Sequence, residues 1–406
     1  MKHIVVLGAG YAGLRTVIRL QKLLHGQAHI TLINQNPYHY QTTALHEVAA
    51  GNIPPEKICF DIADLVDPAK TTFIVDRVSS FSPQTRLVHL IDHDDLHYDY
   101  CIVALGFVSE TFGIEGAEEN SLPMTNVRQA MQINEHIENQ MAAYQPNHDA
   151  NHLRIIICGA GFTGIELAGE LADARPRYAK IAGVEPGQIE IEMIDASKRL
   201  LPMFNDALAN YGIRLLHQLN IRITQHARIN KIQPDLVDYR LDGEDSTTPL
   251  HQSQAGTIIW TTGVSGSSLV GQAGLQQRRG RVMVSPHLTA PNDDQLYLIG
   301  DVAAVMPPNG KRPYPTTAQI ALSMANYVAE DLAARLNNRE RPDAYSYHSQ
   351  GTVASIGNTR ALGMASGHSY MGYPASVLKK MIMNKSLLEL GGAKQVIHKG
   401  RFDLYH

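Results

Sequence analysis

"IVVLGAGYAGL" at residues 4–14 and "IIICGAGFTGI" at residues 155–165 align without a gap, and this repetition decides the fold. In each, a β-branched apolar run of the kind that fills a buried parallel strand leads into G-x-G-x-x-G, which opens a helix. The glycines are Gly8, Gly10 and Gly13 in the first copy and Gly159, Gly161 and Gly164 in the second. The first of each set permits a tight turn, the second lets backbone approach a pyrophosphate, and the third lets helix pack on strand. Phosphate then meets free N–H groups at the positive end of the helix. One such loop is a weak signal, because ordinary strand-to-helix turns also carry glycine. Two, each with strand before and helix after, predict two dinucleotide sites.

The residues ending the next strand of each unit differ. "HITLINQNPYHY" (29–40) ends its strand at Asn34, where an acidic residue normally holds the ribose hydroxyls; an amide still hydrogen-bonds a hydroxyl, so the site is weakened rather than lost. "IEIEMIDASKRL" (189–200) ends at Asp195, which accepts from an adenosine 2′-hydroxyl and repels a 2′-phosphate, favouring NADH over NADPH. Lys198 and Arg199 soften that preference, and a plain loop-capping role for Asp195 stays open. Two further strands end in glycine turns: "YDYCIVALG" (98–106) at Gly106, and "LYLIGDVAAV" (296–305) at Gly300 and Asp301. Asp301 is placed either to hydrogen-bond the polyol chain of a flavin or to cap a helix.

Composition bounds the rest. A chain of 406 residues has room for two or three domains, and a net charge of −4 gives no reason to expect nucleic acid. Cys59, Cys101 and Cys158 form no close pair, which fits a reduced compartment. "MKHIVVLGAGYAG" reads as neither signal peptide nor transmembrane helix, and no apolar run is long enough to span a bilayer. The 19 histidines include no zinc-type spacing, so no metal site is expected.

Taken in order, "GAGYAGL", "NPYHYQTTALHE", "YDYCIVALG", "GAGFTGIELAGEL", "IIWTTGV", "LIGDVAAV" and "PTTAQIA" resemble the two-dinucleotide-binding-domain flavoproteins, and among them the type II NADH dehydrogenases. The resemblance runs to about residue 330. It implies an α/β fold of two Rossmann-like domains, the second inserted in the first, with a C-terminal membrane-associating segment. The implied boundaries are 1–114 with 265–337 for FAD, 115–264 for NADH, and 338–406 for membrane anchoring. It implies hydride transfer from NADH to the flavin, then two electrons and protons to a membrane quinone, without proton pumping, at the entrance of a respiratory electron-transport chain. FAD pyrophosphate falls on Gly8, Gly10 and Gly13, with Thr42, Thr43 and Asp301 near the flavin and its chain. NADH falls on Gly159, Gly161, Gly164 and Asp195, with Glu166 near nicotinamide and flavin and Gln319 at the quinone site. His39 and His46 fall in the flavin-side loop, where a surface or packing role is the default.

Three alternatives stay open: a soluble NADH:acceptor flavin oxidoreductase, a sulfide:quinone-type reductase, and a nucleotide-sensing flavoprotein. Cys101 and Cys158 lie within apolar strands, which argues against flavin-side thiols.

The C-terminal stretch "YPASVLKKMIMNKSLLELGGAKQVIHKGRF" (373–402) places Val377, Leu378, Met381, Ile382 and Leu388 on one helical face, flanked by Lys379, Lys380 and Lys385. Gly391 and Gly392 end that helix and a short second one follows. From residue 371 onward, six basic residues face two acids, Glu389 and Asp403. That is the profile of an interfacial helix on an anionic membrane, predicting a peripheral, monotopic protein at the cytoplasmic face. Packing on its own chain, or on a second copy in a homodimer, is the alternative.

Glu166 is a puzzle, a carboxylate beside a phosphate loop. It is read here in the first turn of its helix, stabilised by the dipole and directed toward nicotinamide. Glu170 shares its face one turn later. The matching residue of the first copy is Arg15, read as an uncompensated cation.

Overall fold

The computed structural model of the protein describes residues 1–308 and 310–402. A six-stranded sheet runs in the order Thr289–Ala290, Asp293–Leu298, Tyr100–Val103, Lys2–Leu7, Ala28–Asn34, Thr71–Val75. A five-stranded sheet runs Leu122–Pro123, Thr257–Trp260, Arg154–Cys158, Glu190–Ile194, Ile221–Thr224. The second is parallel throughout and the first departs from parallel only at its Thr289–Ala290 edge. Ile4 to Leu7 and Ile155 to Cys158 are buried in the middle of their sheets, as continuous apolar runs require.

The repetition extends further than the aligned residues. Tyr100–Val103 lies beside the first glycine-loop strand as Thr257–Trp260 lies beside the second. Gly8 has φ of +97° and Gly159 +106°, a left-handed conformation that glycine adopts freely. A Cβ on Gly8 would strike the Ala104 carbonyl, and one on Gly159 would meet Thr262. Gly13 and Gly164 repeat the pattern, each backed by the carbonyl of its own loop's first glycine.

The chain leaves the first sheet after Val103, forms the second, and returns to the first at Thr289. Its outgoing strand Phe107–Ser109 and incoming strand Val264–Gly266 pair antiparallel at the crossing. The 19-residue helix Ala318–Leu336 packs along the first loop's helix, Tyr11–Leu23. A three-stranded antiparallel sheet, Gly351–Ser355, Ala361–Ala365 and His368–Met371, then leads into the helical stretch Tyr373–Lys399. Gly169, inside "ELAGEL", lets this sheet touch the second loop's helix, since a Cβ there would strike Ile356 and Gly357.

The C-terminal stretch breaks at Gly392 (φ +69°), as the paired glycines predict. Its charge pattern differs from the expectation. Lys379 bonds Glu166, Lys380 is buried on Asn358, Lys399 bonds the Cys59 carbonyl and Arg401 bonds Glu47. Lys385, on Gln350, and Lys394 are the cations on the outer side, and Asp403 lies outside the described residues. Leu378 and Ile382 pack inward against Val353 and Ala361, whereas Met381 (62% exposed), Leu388 (53%), Ile397 (74%) and Phe402 (61%) form an apolar outer face. Long basic side chains reach across a half-buried helix to internal carbonyls and carboxylates, which a helical projection does not anticipate. No helix among the described residues is long and apolar enough to cross a membrane.

Candidate functional site

One cleft of about 460 Å³ opens where the two sheets meet. The first loop lines it from Gly8 to Ala12, together with Asn34, Thr42, Thr43, Gly106, Gly300 and Asp301. The second unit reaches it through Phe162, Thr163, Glu166, Trp260 and Thr261, and the C-terminal helix adds Lys379. Gly159, Gly161, Gly164 and Asp195 lie off this wall. Gln319 lies off it too, although Thr316, Thr317 and Ala318 belong to it.

Both loops have the shape a pyrophosphate needs. Gly10 and Gly161 cap their helices, and a Cβ at either would find nothing within 4 Å. The first-turn N–H groups behind them have no intrahelical acceptors, so open space and donors coincide. The donor chemistry and the missing side chains therefore fit a dinucleotide at each loop.

The strand-end residues do something the sequence did not reveal. Asn34 Oδ1 accepts from the Ala9 N–H (2.9 Å), and Asp195 Oδ2 accepts from the Ala160 N–H (2.6 Å). Each braces the middle of its own glycine loop. Asn34 Nδ2 also bonds the Asn36 carbonyl, and Asp195 Oδ1 takes the Ser197 N–H, so part of each side chain is already committed. Asp301, at the cleft wall, is half-buried, and desolvation pushes its carboxyl up to about 6 despite Arg281 nearby. His39 is buried with Nδ1 on the Ala9 carbonyl, and desolvation lowers it to about 4, so it stands neutral.

Glu166 corrects the sequence reading. The helix begins at Phe162, so Glu166 lies beyond the first turn, where the dipole has faded. It is buried, and its Oε1 accepts from Lys379 Nζ (2.8 Å) and from Ser355 N and Oγ (3.1 Å each). Burial is the largest single influence and would raise its carboxyl, but the Lys379 ammonium and the hydrogen bonds from Lys379 and Ser355 together outweigh it and hold Glu166 below the usual range. His46 Nδ1 stands 3.7 Å from Oε2, and desolvation lowers that imidazole, so it is a neutral neighbour rather than an ion-pair partner. Arg15 is likewise not uncompensated: it donates to Asn326 Oδ1 (2.8 Å) and to the Glu389 carbonyl. Lys379, Ser355 and Arg281 were missed, and for Lys379 no local signal existed, since 213 residues separate it from Glu166.

Gln319 Oε1 accepts from the Tyr347 hydroxyl (2.9 Å). Cys101 and Cys158 are buried in central strands with thiols raised by desolvation, and Cys59 is raised to about 11. None is a ready thiolate.

Two glycine-loop units, the first lining the cleft with its loop and the second with the start of its helix, are the frame of a protein with two dinucleotide sites. Residues 2–325 match the pyridine nucleotide-disulphide oxidoreductase family. A type II NADH:quinone oxidoreductase of Staphylococcus epidermidis is 37% identical over 404 residues, 99% of each chain. One of Staphylococcus aureus is 36% identical over the same share. Among solved structures, NDH2 from Plasmodium falciparum in complex with NADH superposes with a TM-score of 0.86, at 18% identity, covering 98% of this chain and 97% of that one. The sulfide:quinone oxidoreductase of Aquifex aeolicus gives 0.79 at 23% identity, with 100% and 96% covered; this likeness extends to the fold alone. The chain belongs to the pyridine nucleotide-disulphide oxidoreductases and, within them, to the type II NADH:quinone oxidoreductase family.

Proposed function

We propose that this protein oxidises NADH and reduces a membrane quinone, with FAD on the Gly8–Gly13 loop and NADH on the Gly159–Gly164 loop. The observation that carries this reading is the cleft lined on one side by the first glycine loop and on the other by Phe162, Thr163 and Glu166 of the second unit, with Lys379 beside Glu166. Bound FAD would supply the two-electron carrier between nicotinamide and quinone. The chain's own residues bind, orient and exclude water. Asp301 sits on the wall within reach of a polyol chain, Thr42 and Thr43 line the same side, and Asn34 and Asp195 fix their loops. Gln319, held by Tyr347, is the proposed quinone-side residue. The proposed domain division is residues 1–114 with 265–337 for FAD, 115–264 for NADH, and 338–406 for the membrane-associating region.

The apolar outer face of Met381, Leu388, Ile397 and Phe402 is proposed to enter the membrane interface, bringing the cleft to an apolar substrate. Two outward lysines make this attachment chiefly hydrophobic. The protein is then peripheral, at the cytoplasmic face where NADH is available.

The deciding measurement is a visible spectrum of the purified protein followed by anaerobic titration. NADH should bleach a flavin band and a short-chain quinone should restore it. A colourless protein that still binds NADH would overturn the FAD assignment.

A further inference from the structure

The wall behind Glu166 holds more carboxyls than cations. Glu166, Glu170 and Glu47 are all buried there. Lys379 bonds Glu166, and Arg401 NH1 donates to both oxygens of Glu47 (2.6 and 2.5 Å). Among the described residues no cation pairs with Glu170. Its Oε2 accepts from Asn52 Nδ2 (2.5 Å), which also donates to the Glu170 carbonyl (3.0 Å). A buried carboxyl without a counter-charge keeps its proton. Burial first, then the neighbouring Glu47 charge, push Glu170 well above the usual carboxylate range, against the weaker pull of Asn52 and Arg401.

Its neighbours belong to the cleft on one side and to an exposed groove on the other. On its own helix Glu170 lies between Glu166, one turn nearer the cleft, and Asp173, which pairs with Arg360. The helix Leu45–Ala49 brings His46, beside Glu166, and Glu47. The C-terminal segment brings Lys379 and Arg401. On the other side, Asn52 lines a surface groove with Ile53, Met131, Asn134, Glu135 and Glu138. Asn52, whose amide holds Glu170, is thus exposed at that groove.

We propose that Glu170 is the proton-loading residue of this site, passing a proton toward Glu166 and the cleft as quinone is reduced and reloading from groove water at Asn52. The inference rests on the quinone-reductase reading. NADH supplies two electrons and one proton, quinol formation takes up two protons, and the difference is one proton from the medium: NADH + quinone + H⁺ gives NAD⁺ + quinol. The O–H bond of Glu170 breaks, an O–H bond forms on the Glu166 carboxylate, and the proton released from Glu166 ends on a quinone oxygen. The Glu170 carboxylate then takes its replacement from water.

Glu170→Gln keeps an acceptor for Asn52 and removes the transferable proton. In stopped-flow experiments on the FAD-loaded protein, NADH should bleach the variant's flavin at the wild-type rate, while reoxidation by a short-chain quinone slows about tenfold or more. The wild-type reoxidation rate should fall as pH rises through the raised Glu170 range, and this limb should vanish in the variant. Infrared spectra of the resting protein at neutral pH should show a protonated-carboxyl C=O band that the variant lacks. Asn52→Leu, which leaves Glu170 in place but closes its outlet, should slow reoxidation alone. It serves as the kinetic test if Glu170→Gln fails to fold.

Unchanged reoxidation in both variants, or no missing carboxyl band in Glu170→Gln, would overturn the proposal. If quinone fails to reoxidise the wild-type flavin at all, the quinone reading fails instead, and the infrared band still decides whether Glu170 holds a proton.

Discussion

Two residues past the third glycine, the first loop carries Arg15 and the second Glu166, and both side chains reach the same C-terminal helix. Arg15 meets it at the Glu389 carbonyl, Glu166 at the Lys379 ammonium. The half-buried guanidinium makes do with neutral acceptors, one of them Asn326. The fully buried carboxylate requires a cation, because its desolvation is offset only by charge and hydrogen bonds together. The two loops thus share a phosphate-binding frame but differ in the residue that docks the C-terminal region. Only the second makes that docking an ion pair at the cleft wall.

The largest contrast should come from the loops themselves. Gly8→Val forces a β-branched residue into positive φ against the Ala104 carbonyl, strain on the order of 1–3 kcal/mol before any steric cost. The purified variant should lose most of its flavin absorbance per polypeptide. Gly159→Val should stay yellow yet require far more NADH for bleaching. A yellow Gly8→Val or a colourless Gly159→Val would break the assignment of ligands to loops.

Next in size is the docking pair. Lys379→Met strands a buried charge and should cost about 3–5 kcal/mol in chemical denaturation, whereas Arg15→Met, losing bonds to neutral acceptors, should cost about 1–2 kcal/mol. The pH dependence has a definite sign. Lys379 depresses the folded pKa of Glu166, so its contribution is present above the unfolded glutamate value and is lost as pH falls through the folded one. The gap between wild type and Lys379→Met should therefore narrow on the acid side. Equal costs for the two variants would erase the proposed difference between the loops.

The smallest effects concern the outer face of the shared helix. Leu388→Asp or Ile397→Asp removes an apolar contact worth about 1.5–3 kcal/mol and should weaken vesicle co-sedimentation by about tenfold or more. Lys385→Gln or Lys394→Gln should weaken it by about fivefold or less each, the scale of one lysine at an anionic surface. Lysine effects exceeding the leucine effect would restore the electrostatic picture that the sequence suggested.

That last comparison shows where sequence reading fails. Counting residues 371 to 406 gives an excess of positive charge, but Lys379, Lys380, Lys399 and Arg401 turn inward to Glu166, Asn358, the Cys59 carbonyl and Glu47. Periodicity assigns a side chain to a helical face, not to a partner. The helix break at Gly392 was legible because it follows from local backbone chemistry. Gly169 was not singled out, because its reason is the approach of Ile356 and Gly357 from a distant sheet. Nor did any local signal show that Asn34 braces the Ala9 N–H as Asp195 braces that of Ala160.

The sequence by itself determined the repeated strand–loop–helix frame, the positions where only glycine fits, and the absence of a close cysteine pair. Each depends on dihedral preference, strand burial or spacing within a few residues. Tertiary structure decided which charges are buried together. It brought Lys379 to Glu166 and Arg401 to Glu47, and set Glu170 beside them with no ion pair among the described residues. The free energy of a buried charge is set by whatever the fold places within a few ångströms, and those neighbours come from hundreds of residues away.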